Sequence, residues 1–270
     1  MGRSSSDAPQ ARKPLPRAKR SLGQNFLVDD NIARKIAAAL AITREDKVLE
    51  IGPGTGSLTR FLVEAEPGVL AAVERDPDLA LGIKSMWPQI QVQVADGLTV
   101  DWARLDGWKI IGNLPYNVAS PLMWDAVSKC RNWQRMVFMV QKEVGRRLAA
   151  KPSTKAYGAL GVWAQSFARV DMAFTVSPQV FRPRPKVDSA VVVFTPLEQT
   201  DFPAHALSAL LKRCFQMRRK QLRTTLRDIW TLEVDNYLDS QSLSPSSRPE
   251  ELGPEQFQAL SFLLQSAFPA

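Results

Sequence analysis

The sequence predicts an α/β protein with a doubly wound, Rossmann-like sheet, followed by a small C-terminal α-helical domain. Short apolar runs alternate with segments of helical periodicity between residues 48 and 140, and such alternation is typical of a mostly parallel sheet with helices on both faces. A glycine-rich segment, residues 52–56, directly follows the first of these runs, where a doubly wound sheet makes its tight first turn. After residue 203 the pattern is helical only.

The elements can be assigned in chain order. Residues 31–40 form a helix-like stretch that Asp29 or Asp30 can cap at its N-terminus. Strands are predicted at residues 48–51, 69–73, 90–94, 109–111 and 136–140, with helices between them at 58–64 and 77–86. Residues 171–176 and 189–195 are predicted to form a closing strand pair, joined by a proline-rich link at 178–186.

Pattern and composition divide the chain into three parts. Residues 1–20 are rich in Ser, Arg and Pro, and their prolines disfavour the amphipathic helix of a transit peptide, so we expect a disordered basic tail. Residues 21–198 form the α/β domain, and a hinge at 196–203 leads into a helical domain at 199–270. The apolar positions of that domain fall into three groups: Leu207, Leu211 and Phe215; Leu222, Leu226 and Ile229; and a last helix at 257–268.

The positive charge is concentrated in two segments. The chain has 35 Lys and Arg against 27 Asp and Glu, a net charge of +8, of which residues 1–20 carry +5 and residues 212–227 carry +7. The rest of the chain is therefore net negative. Clustered positive charge favours a polyanionic partner such as nucleic acid, although the cluster at 212–227 also fits a solvated charged face.

Composition argues against several classes of protein. Cys130 and Cys214 lie far apart and His205 is the single histidine, so we expect no metal site and no histidine-dependent triad. No apolar run is long enough to span a membrane, and the N-terminus lacks the apolar core of a secretory signal. We therefore expect a cytoplasmic protein with reduced thiols.

Three predicted strands end in groups suited to an adenosine ligand. Gly52 and Gly54 let the backbone approach a ligand closely, but Ser57 stands where the dinucleotide fingerprint has its third glycine. Glu74, 22 residues after Gly52, ends the second strand of the sheet and can accept hydrogen bonds from both ribose hydroxyls. Asp96 ends the third and can accept from an adenine amine. Either acid taken alone also fits a capping or solvated role.

The fourth predicted strand of the sheet, at residues 109–111, leads into Asn113, Leu114, Pro115 and Tyr116. The Asn113 side-chain oxygen and the Leu114 carbonyl can accept both hydrogens of an exocyclic amine and orient its lone pair, which the ring otherwise delocalises. Pro115 has no N–H to compete for these acceptors, and Tyr116 can stack on the ring. A strand that ends in a simple turn is the alternative interpretation. Because the carboxyl ends of parallel strands share one crevice, we expect this amine clamp to face the cofactor groups.

Six motifs, in this order, resemble the KsgA family of ribosomal RNA adenine dimethyltransferases, which use S-adenosylmethionine. They are LGQNFL at 22–27, EIGPGTG at 50–56, NLPYN at 113–117, QKEV at 141–144, FRPRPKVDSA at 181–190 and RRK at 218–220. The resemblance implies a Rossmann-like S-adenosylmethionine-dependent methyltransferase domain at 21–198 and a helical RNA-binding or substrate domain at 199–270. It implies a cofactor pocket lined by Asn25, Leu27, Gly52, Gly54, Glu74, Asp96 and Asn113. It further implies that Phe181 packs on the target adenine with Tyr116, a plain core aromatic being the alternative for Phe181.

The implied activity is dimethylation of the 6-amino groups of two adjacent adenosines in a hairpin loop near the 3′ end of small-subunit ribosomal RNA. We expect a monomer that acts on an assembling subunit, by in-line displacement that demands positioning rather than a tuned general base. The target base must leave its stack, which favours a loop over a duplex. RNA phosphates are expected to bind Arg182, Arg184, Lys186, Arg218, Arg219, Lys220 and Arg223, which set orientation rather than read sequence.

Two other functions stay open at this point. The related large-subunit methyltransferase that confers macrolide resistance is a close rival, and the loop containing Asn117 together with the RRK motif favours the small-subunit enzyme. A noncatalytic RNA-binding assembly factor, or an organelle transcription factor built on this fold, belongs to another class. The intact Asn113 and Tyr116 argue against such a loss of catalysis.

Overall fold

The computed structural model describes residues 23–198 and 201–269, so the predicted basic tail lies outside the described residues. The strands are β1 (Phe26–Leu27), β2 (Lys47–Ile51), β3 (Val69–Glu74), β4 (Gln91–Val94), β5 (Trp108–Asn113), β6 (Arg135–Gln141), β7 (Ala168–Val176), β8 (Phe181–Arg182) and β9 (Ser189–Pro196). The helices are α1 (Asp30–Ala39), α2 (Thr59–Glu64), α3 (Pro77–Met86), α4 (Ala119–Lys129), α5 (Lys142–Leu148), α6 (Ala159–Phe167), α7 (Ala204–Gln216), α8 (Leu222–Thr225), α9 (Leu232–Ser240) and α10 (Pro254–Leu263).

Seven strands form one mixed sheet in the order β4-β3-β2-β5-β6-β9-β7. Strands β2 to β6 run parallel to one another, whereas β9 is antiparallel to both β6 and β7. The predicted parallel sheet and its closing strand pair are therefore confirmed. A separate two-stranded antiparallel ladder joins β1 to β8, with Leu27 opposite Phe181.

The sheet is covered on both faces, and the period of two along its strands decides which side chain faces which layer. On β5, Ile110 belongs to one hydrophobic cluster and Ile111 to the other. On β6, Phe138 lies in the first cluster, whereas its neighbours Val137 and Met139 lie in the second. This double burial explains why the central strands read as continuous apolar runs rather than as alternating ones.

The helix termini follow the capping signals of the sequence. Asp29 caps α1, because its side chain accepts a hydrogen bond of 2.9 Å from the backbone N–H of Ile32. Asp76 does the same for α3, which carries Pro77 at its first position. The α2 and α3 helices lie where the sequence predicts them, within one residue at each end.

The C-terminal helices pack onto the α/β part through a shared core. Leu207, Leu211 and Phe257 belong to the same hydrophobic cluster as Phe138 of the sheet. The periodic stretch from Leu222 onward forms only the four-residue helix α8, because the chain leaves the helix at residue 226. The last helix, α10, begins at residue 254 and ends at 263, ahead of the predicted 268. The division into two domains at 198 stays a prediction.

The parallel arrangement brings the carboxyl ends of β2, β3, β4, β5 and β6 to one edge of the sheet. The segments that leave this edge carry every strand-end group that the sequence predicts to be functional. Within the described ranges, no helix combines the length and the apolar character needed to cross a bilayer.

Candidate active site

A cleft of about 1080 Å³, open to solvent, lies at the carboxyl edge of the sheet. It is lined by nine of the ten residues that the sequence assigns to cofactor binding and catalysis: Asn25, Leu27, Gly52, Gly54, Glu74, Asp96, Asn113, Leu114 and Tyr116. The glycine loop, the two strand-end acids and the amine clamp therefore meet in one space.

The glycine loop forms one wall of the cleft through its backbone. Gly52 and Gly54 adopt φ angles of +68° and +58°, in the left-handed region that favours glycine. A Cβ atom added to Gly52 would find no heavy atom within 4 Å, so this position borders open space. The loop can thus be approached closely by a ligand.

Glu74 holds the loop in place with both of its carboxylate oxygens. Its Oε2 accepts a 3.0 Å hydrogen bond from the Gly54 N–H, and its Oε1 accepts a 2.9 Å bond from the Asp76 N–H. A carboxylate offers about four lone-pair sites, so two acceptor positions remain for the hydroxyls of a ribose. The buried Glu74 carboxylate combines a structural role with the predicted ligand role.

Glu50 is a cleft residue to which the sequence assigns no separate role. Its side chain is 1% exposed, and its Oε2 accepts a 2.7 Å hydrogen bond from the Thr59 hydroxyl. The pKa of this carboxyl group is raised to about 8, and burial is the largest cause. The Thr59 hydrogen bond lowers the pKa, whereas the charge of the neighbouring Glu74 carboxylate raises it. An acid within the otherwise apolar strand, two residues before the glycine loop, is the signal that could have identified it.

Asp96 borders the cleft but also has partners of its own. Its Oδ1 accepts a 3.0 Å hydrogen bond from the Leu98 N–H, and its Oδ2 lies 3.4 Å from Nη1 of the exposed Arg75. The capping role and the ligand role are therefore compatible, because the half-buried carboxylate keeps unused lone pairs.

The amine clamp presents two acceptors to the cleft. The Asn113 Nδ2 donates a 3.2 Å hydrogen bond to the Asn25 carbonyl, which leaves the Asn113 Oδ1 as the free acceptor. The Leu114 N–H donates to the Met139 carbonyl at 3.1 Å, whereas the Leu114 carbonyl accepts no hydrogen bond from any residue that the structure describes. The Pro115 carbonyl accepts from two N–H groups at the start of α4 and so fixes the turn.

The Tyr116 ring is anchored at its far end. Its hydroxyl lies 2.9 Å from the hydroxyl of Ser189, the first residue of β9. Burial raises the pKa of Tyr116, and the Ser189 hydrogen bond only partly offsets this. Ser189 is a second residue that the sequence did not single out, since the two residues are 73 positions apart.

Phe181 does not reach the cleft. Its side chain is 1% exposed and belongs to the hydrophobic cluster that also contains Leu27, its partner across the β1–β8 ladder. The expectation that Phe181 packs on a target base is not met in this structure, because the ladder turns the ring into the core. The side chain takes the place of a core aromatic.

The predicted RNA-binding residues fall into two groups. Three of them are engaged within the protein. Arg182 donates to the Gln179 and Phe181 carbonyls, and Arg223 pairs with the Asp235 carboxylate. Arg218 binds the Glu250 carboxylate and the carbonyls of Thr154 and Lys155. The other four are exposed and form no ion pair with any described residue, namely Arg184, Lys186, Arg219 and Lys220. Arg218 is thus not presented to RNA in the way the sequence predicts.

Among the described residues, no three His, Cys, Asp or Glu side chains lie together in a way that suits a metal ion. Cys130 and Cys214 are buried free thiols whose pKa burial raises to about 12, which disfavours the thiolate that a metal would need.

The chain is similar to proteins of one family over nearly its whole length. Residues 16–265 match the model of the family described as ribosomal RNA adenine dimethylase. A protein from Maridesulfovibrio salexigens named ribosomal RNA small subunit methyltransferase A is 49% identical over 94% of this chain and 98% of its own length.

Two solved structures share the fold at 25% identity. A dimethyladenosine transferase from Plasmodium falciparum has a TM-score of 0.75 and is matched over 90% of this chain and 97% of its own. The 23S rRNA methyltransferase ErmE has a TM-score of 0.70, with 89% and 100% covered.

Proposed function

This chain belongs to the ribosomal RNA adenine dimethylase family, and on that premise we propose that it places two methyl groups on the 6-amino group of each of two adjacent adenosines near the 3′ end of small-subunit ribosomal RNA. The chain is a ribosomal RNA adenine methyltransferase with a Rossmann-like fold, and its methyl donor is S-adenosylmethionine. The finer proposal concerns the dimethylation, the pair of target bases and their place in a hairpin loop.

The single observation that carries the proposal is the pair of free acceptors at the end of β5. The Asn113 Oδ1 and the Leu114 carbonyl both border the cleft, and neither is used by a described residue. Two acceptors match the two hydrogens of an unmodified exocyclic amine. Holding both hydrogens directs the nitrogen lone pair out of the ring plane, where it can act as a nucleophile.

The cleft fits the methyl donor on its other side. Gly52 borders open space, and Glu74 retains acceptor positions for ribose hydroxyls, while Asp96 retains them for an adenine amine. S-adenosylmethionine supplies a methyl group already activated by its sulfonium. Transfer would form the N–CH₃ bond as the S–CH₃ bond breaks, leaving neutral S-adenosylhomocysteine, and the methylated nitrogen would lose one proton to the solvent at the open cleft. The residues of the chain therefore need to hold the amine and orient both ligands.

Two methylations of one amine place a further demand on the clamp. After the first transfer the nitrogen carries one hydrogen, so only one of the two acceptors can be used at a time. The amine must turn about its bond to the ring before the second transfer. The Tyr116 ring, tied to Ser189, offers a flat surface against which the base can stay stacked while this happens.

We further propose that the enzyme acts as a cytoplasmic monomer on an assembling small subunit. The small-subunit target is favoured over the large-subunit one because a relative named for the small subunit is 49% identical, against 25% for ErmE. A noncatalytic role is disfavoured because no described residue uses the Asn113 Oδ1 or the Leu114 carbonyl at the cleft, which Tyr116 also borders.

The test is methylation of unmodified small ribosomal subunits by the Asn113→Ala variant. We expect the rate to fall by a factor on the order of 10² to 10³, the cost typical of one lost electrostatic contact to the reacting group. Calorimetric affinity for S-adenosylmethionine should stay close to that of the unmodified protein.

Asn236→Ala is the matched control. It removes the same amide at an exposed position of helix α9 that does not line the cleft. Full activity of Asn113→Ala would overturn the amine clamp. Methyl groups mapped away from the adenosine pair in the unmodified protein would overturn the proposed target.

A further inference from the structure

The Arg218 side chain joins three parts of the chain that are distant in sequence. Its Nε pairs with the Glu250 carboxylate, its Nη1 donates 2.8 Å to the Lys155 carbonyl, and its Nη2 donates 3.0 Å to the Thr154 carbonyl. The planar guanidinium thus uses all three of its nitrogens within the protein. Three of its five N–H donors, one on each nitrogen, are therefore engaged within the protein, so the side chain is held in place by the fold rather than extended towards solvent.

The same contacts fasten the loop between α5 and α6, residues 149–158, to the C-terminal part of the chain. The Ser153 N–H donates 2.7 Å to the Glu250 carbonyl, and the Tyr157 hydroxyl donates 2.7 Å to the Leu252 carbonyl. Arg218 adds the link between this loop and the turn that follows α7. The loop and the turn are therefore held side by side.

Four exposed cations flank this junction. Lys151 and Lys155 lie in the loop, and Arg219 and Lys220 directly follow Arg218 in the turn. Not one of the four forms an ion pair with a described residue, whereas Arg147, in the preceding helix α5, pairs with Glu143 at 3.3 Å. The nearby Glu250 is neutralised by Arg218 itself. Unpaired cations gathered at one place attract a polyanion.

We propose that Lys151 and Lys155 form, together with Arg219 and Lys220, one phosphate-binding surface for the RNA substrate, and that Arg218 positions this surface without touching phosphate. The proposal rests on the proposed function for the identity of the RNA. It adds two lysines that the sequence motifs do not include. It also gives the first arginine of the RRK motif a role different from that of its neighbours.

A pair of charge-conserving variants separates positioning from phosphate binding. Arg218→Lys keeps the charge but cannot reach three acceptors at once, so the loop lysines lose their placement. The slope of log affinity against log salt, measured with unmethylated small-subunit ribosomal RNA, should then fall in magnitude by roughly 1 or more. Arg219→Lys, the matched control, should leave the slope unchanged, because a lysine still contacts phosphate as a point charge.

Single alanine variants test the two lysines. Lys151→Ala and Lys155→Ala should each reduce the slope by about 0.7 to 0.9, and Lys155→Ala should add little in the Arg218→Lys background. Lys84→Ala, at an exposed position on α3, removes one charge elsewhere and should leave the slope unchanged.

Wild-type behaviour of Arg218→Lys would overturn the positioning role, and unchanged slopes in both lysine variants would overturn the surface. Methyl transfer by Arg218→Lys, Lys151→Ala and Lys155→Ala should require a higher RNA concentration for its half-maximal rate, whereas Lys84→Ala should match the unmodified protein. If the unmodified protein transfers no methyl group to this RNA, the proposed function fails whatever the slopes are.

Discussion

Replacing Glu50 by glutamine is expected to remove a large part of the pH dependence of the protein's stability. The Glu50 side chain is 1% exposed and has the Thr59 hydroxyl as a hydrogen-bond donor, while the Glu74 carboxylate lies nearby. Burial and that neighbouring charge both oppose ionisation, so the folded protein keeps the proton on Glu50. Glutamine has nearly the same shape, stays neutral at every pH and can still accept from Thr59.

The magnitude follows from the two pKa values of the group. Folding raises the pKa of Glu50 from 4.5 to about 8, so between these values the unfolded chain has lost a proton that the folded chain retains. Stability therefore decreases as pH rises through this window, by about 1.4 kcal/mol per pH unit. Below the window both states are protonated and the group contributes no pH dependence. Between about pH 5.5 and 7.5 the loss amounts to roughly 2–3 kcal/mol.

The assay is urea unfolding of the cofactor-free protein across this range. The free energy of unfolding of Glu50→Gln, minus that of the unmodified protein, should increase by about 2–3 kcal/mol from pH 5.5 to 7.5. Glu45→Gln removes one carboxylate at an exposed position and gives the baseline. If the curves of Glu50→Gln and the unmodified protein run parallel, Glu50 is ionised in the folded state and the reasoning is refuted.

Two further predictions concern the framework of the sheet and the glycine loop. Lys109→Met should lower the free energy of unfolding by roughly 3–5 kcal/mol, because it leaves the buried Asp46 carboxylate without its partner at 2.6 Å. In urea unfolding, the double variant Asp46→Asn/Lys109→Met should recover part of that loss. Gly52→Ala should cost only about 1–2 kcal/mol of stability, the strain of its positive φ, yet weaken calorimetric binding of S-adenosylmethionine because the new methyl group enters the cleft. Gly56→Ala should destabilise the fold more than Gly52→Ala does, since its Cβ would lie 2.6 Å from the Trp87 ring, and equal losses would contradict this account.

Local sequence patterns were sufficient for the sheet and for most of the cleft. The central strands are apolar because both faces are buried, and parallel pairing then sends their carboxyl ends to one edge. Glu74 and Asn113 end such strands, and Asp96 comes two residues after the parallel edge strand β4, so their meeting in one cleft is a consequence of topology. Their positions could therefore be predicted before any contact was known.

Contacts between distant residues account for what the sequence did not predict. The burial of Phe181 depends on a ladder that pairs it with Leu27, and neither two-residue strand has a sequence pattern that predicts this pairing. Arg218 is engaged by Glu250, 32 residues further along the chain. A run of basic residues predicts positive charge, but it cannot predict which member of the run has an internal acid within reach.

The strand β1 and its flanks contact both the Asn113 side of the cleft and the glycine-loop side. The Asn25 carbonyl holds the Nδ2 of Asn113, while two residues later the Leu27 carbonyl accepts from the hydroxyl of Ser57 in the loop beyond the glycines. An amide can present either its oxygen or its NH₂ group to a ligand, and only the oxygen can accept an amine hydrogen. The choice is made by the Asn25 carbonyl, which requires a donor. Under the proposed function, the segment around Asn25 and Leu27 therefore also sets which end of the Asn113 amide faces the target amine, and we expect the nucleophile to be held correctly only when that segment is in place.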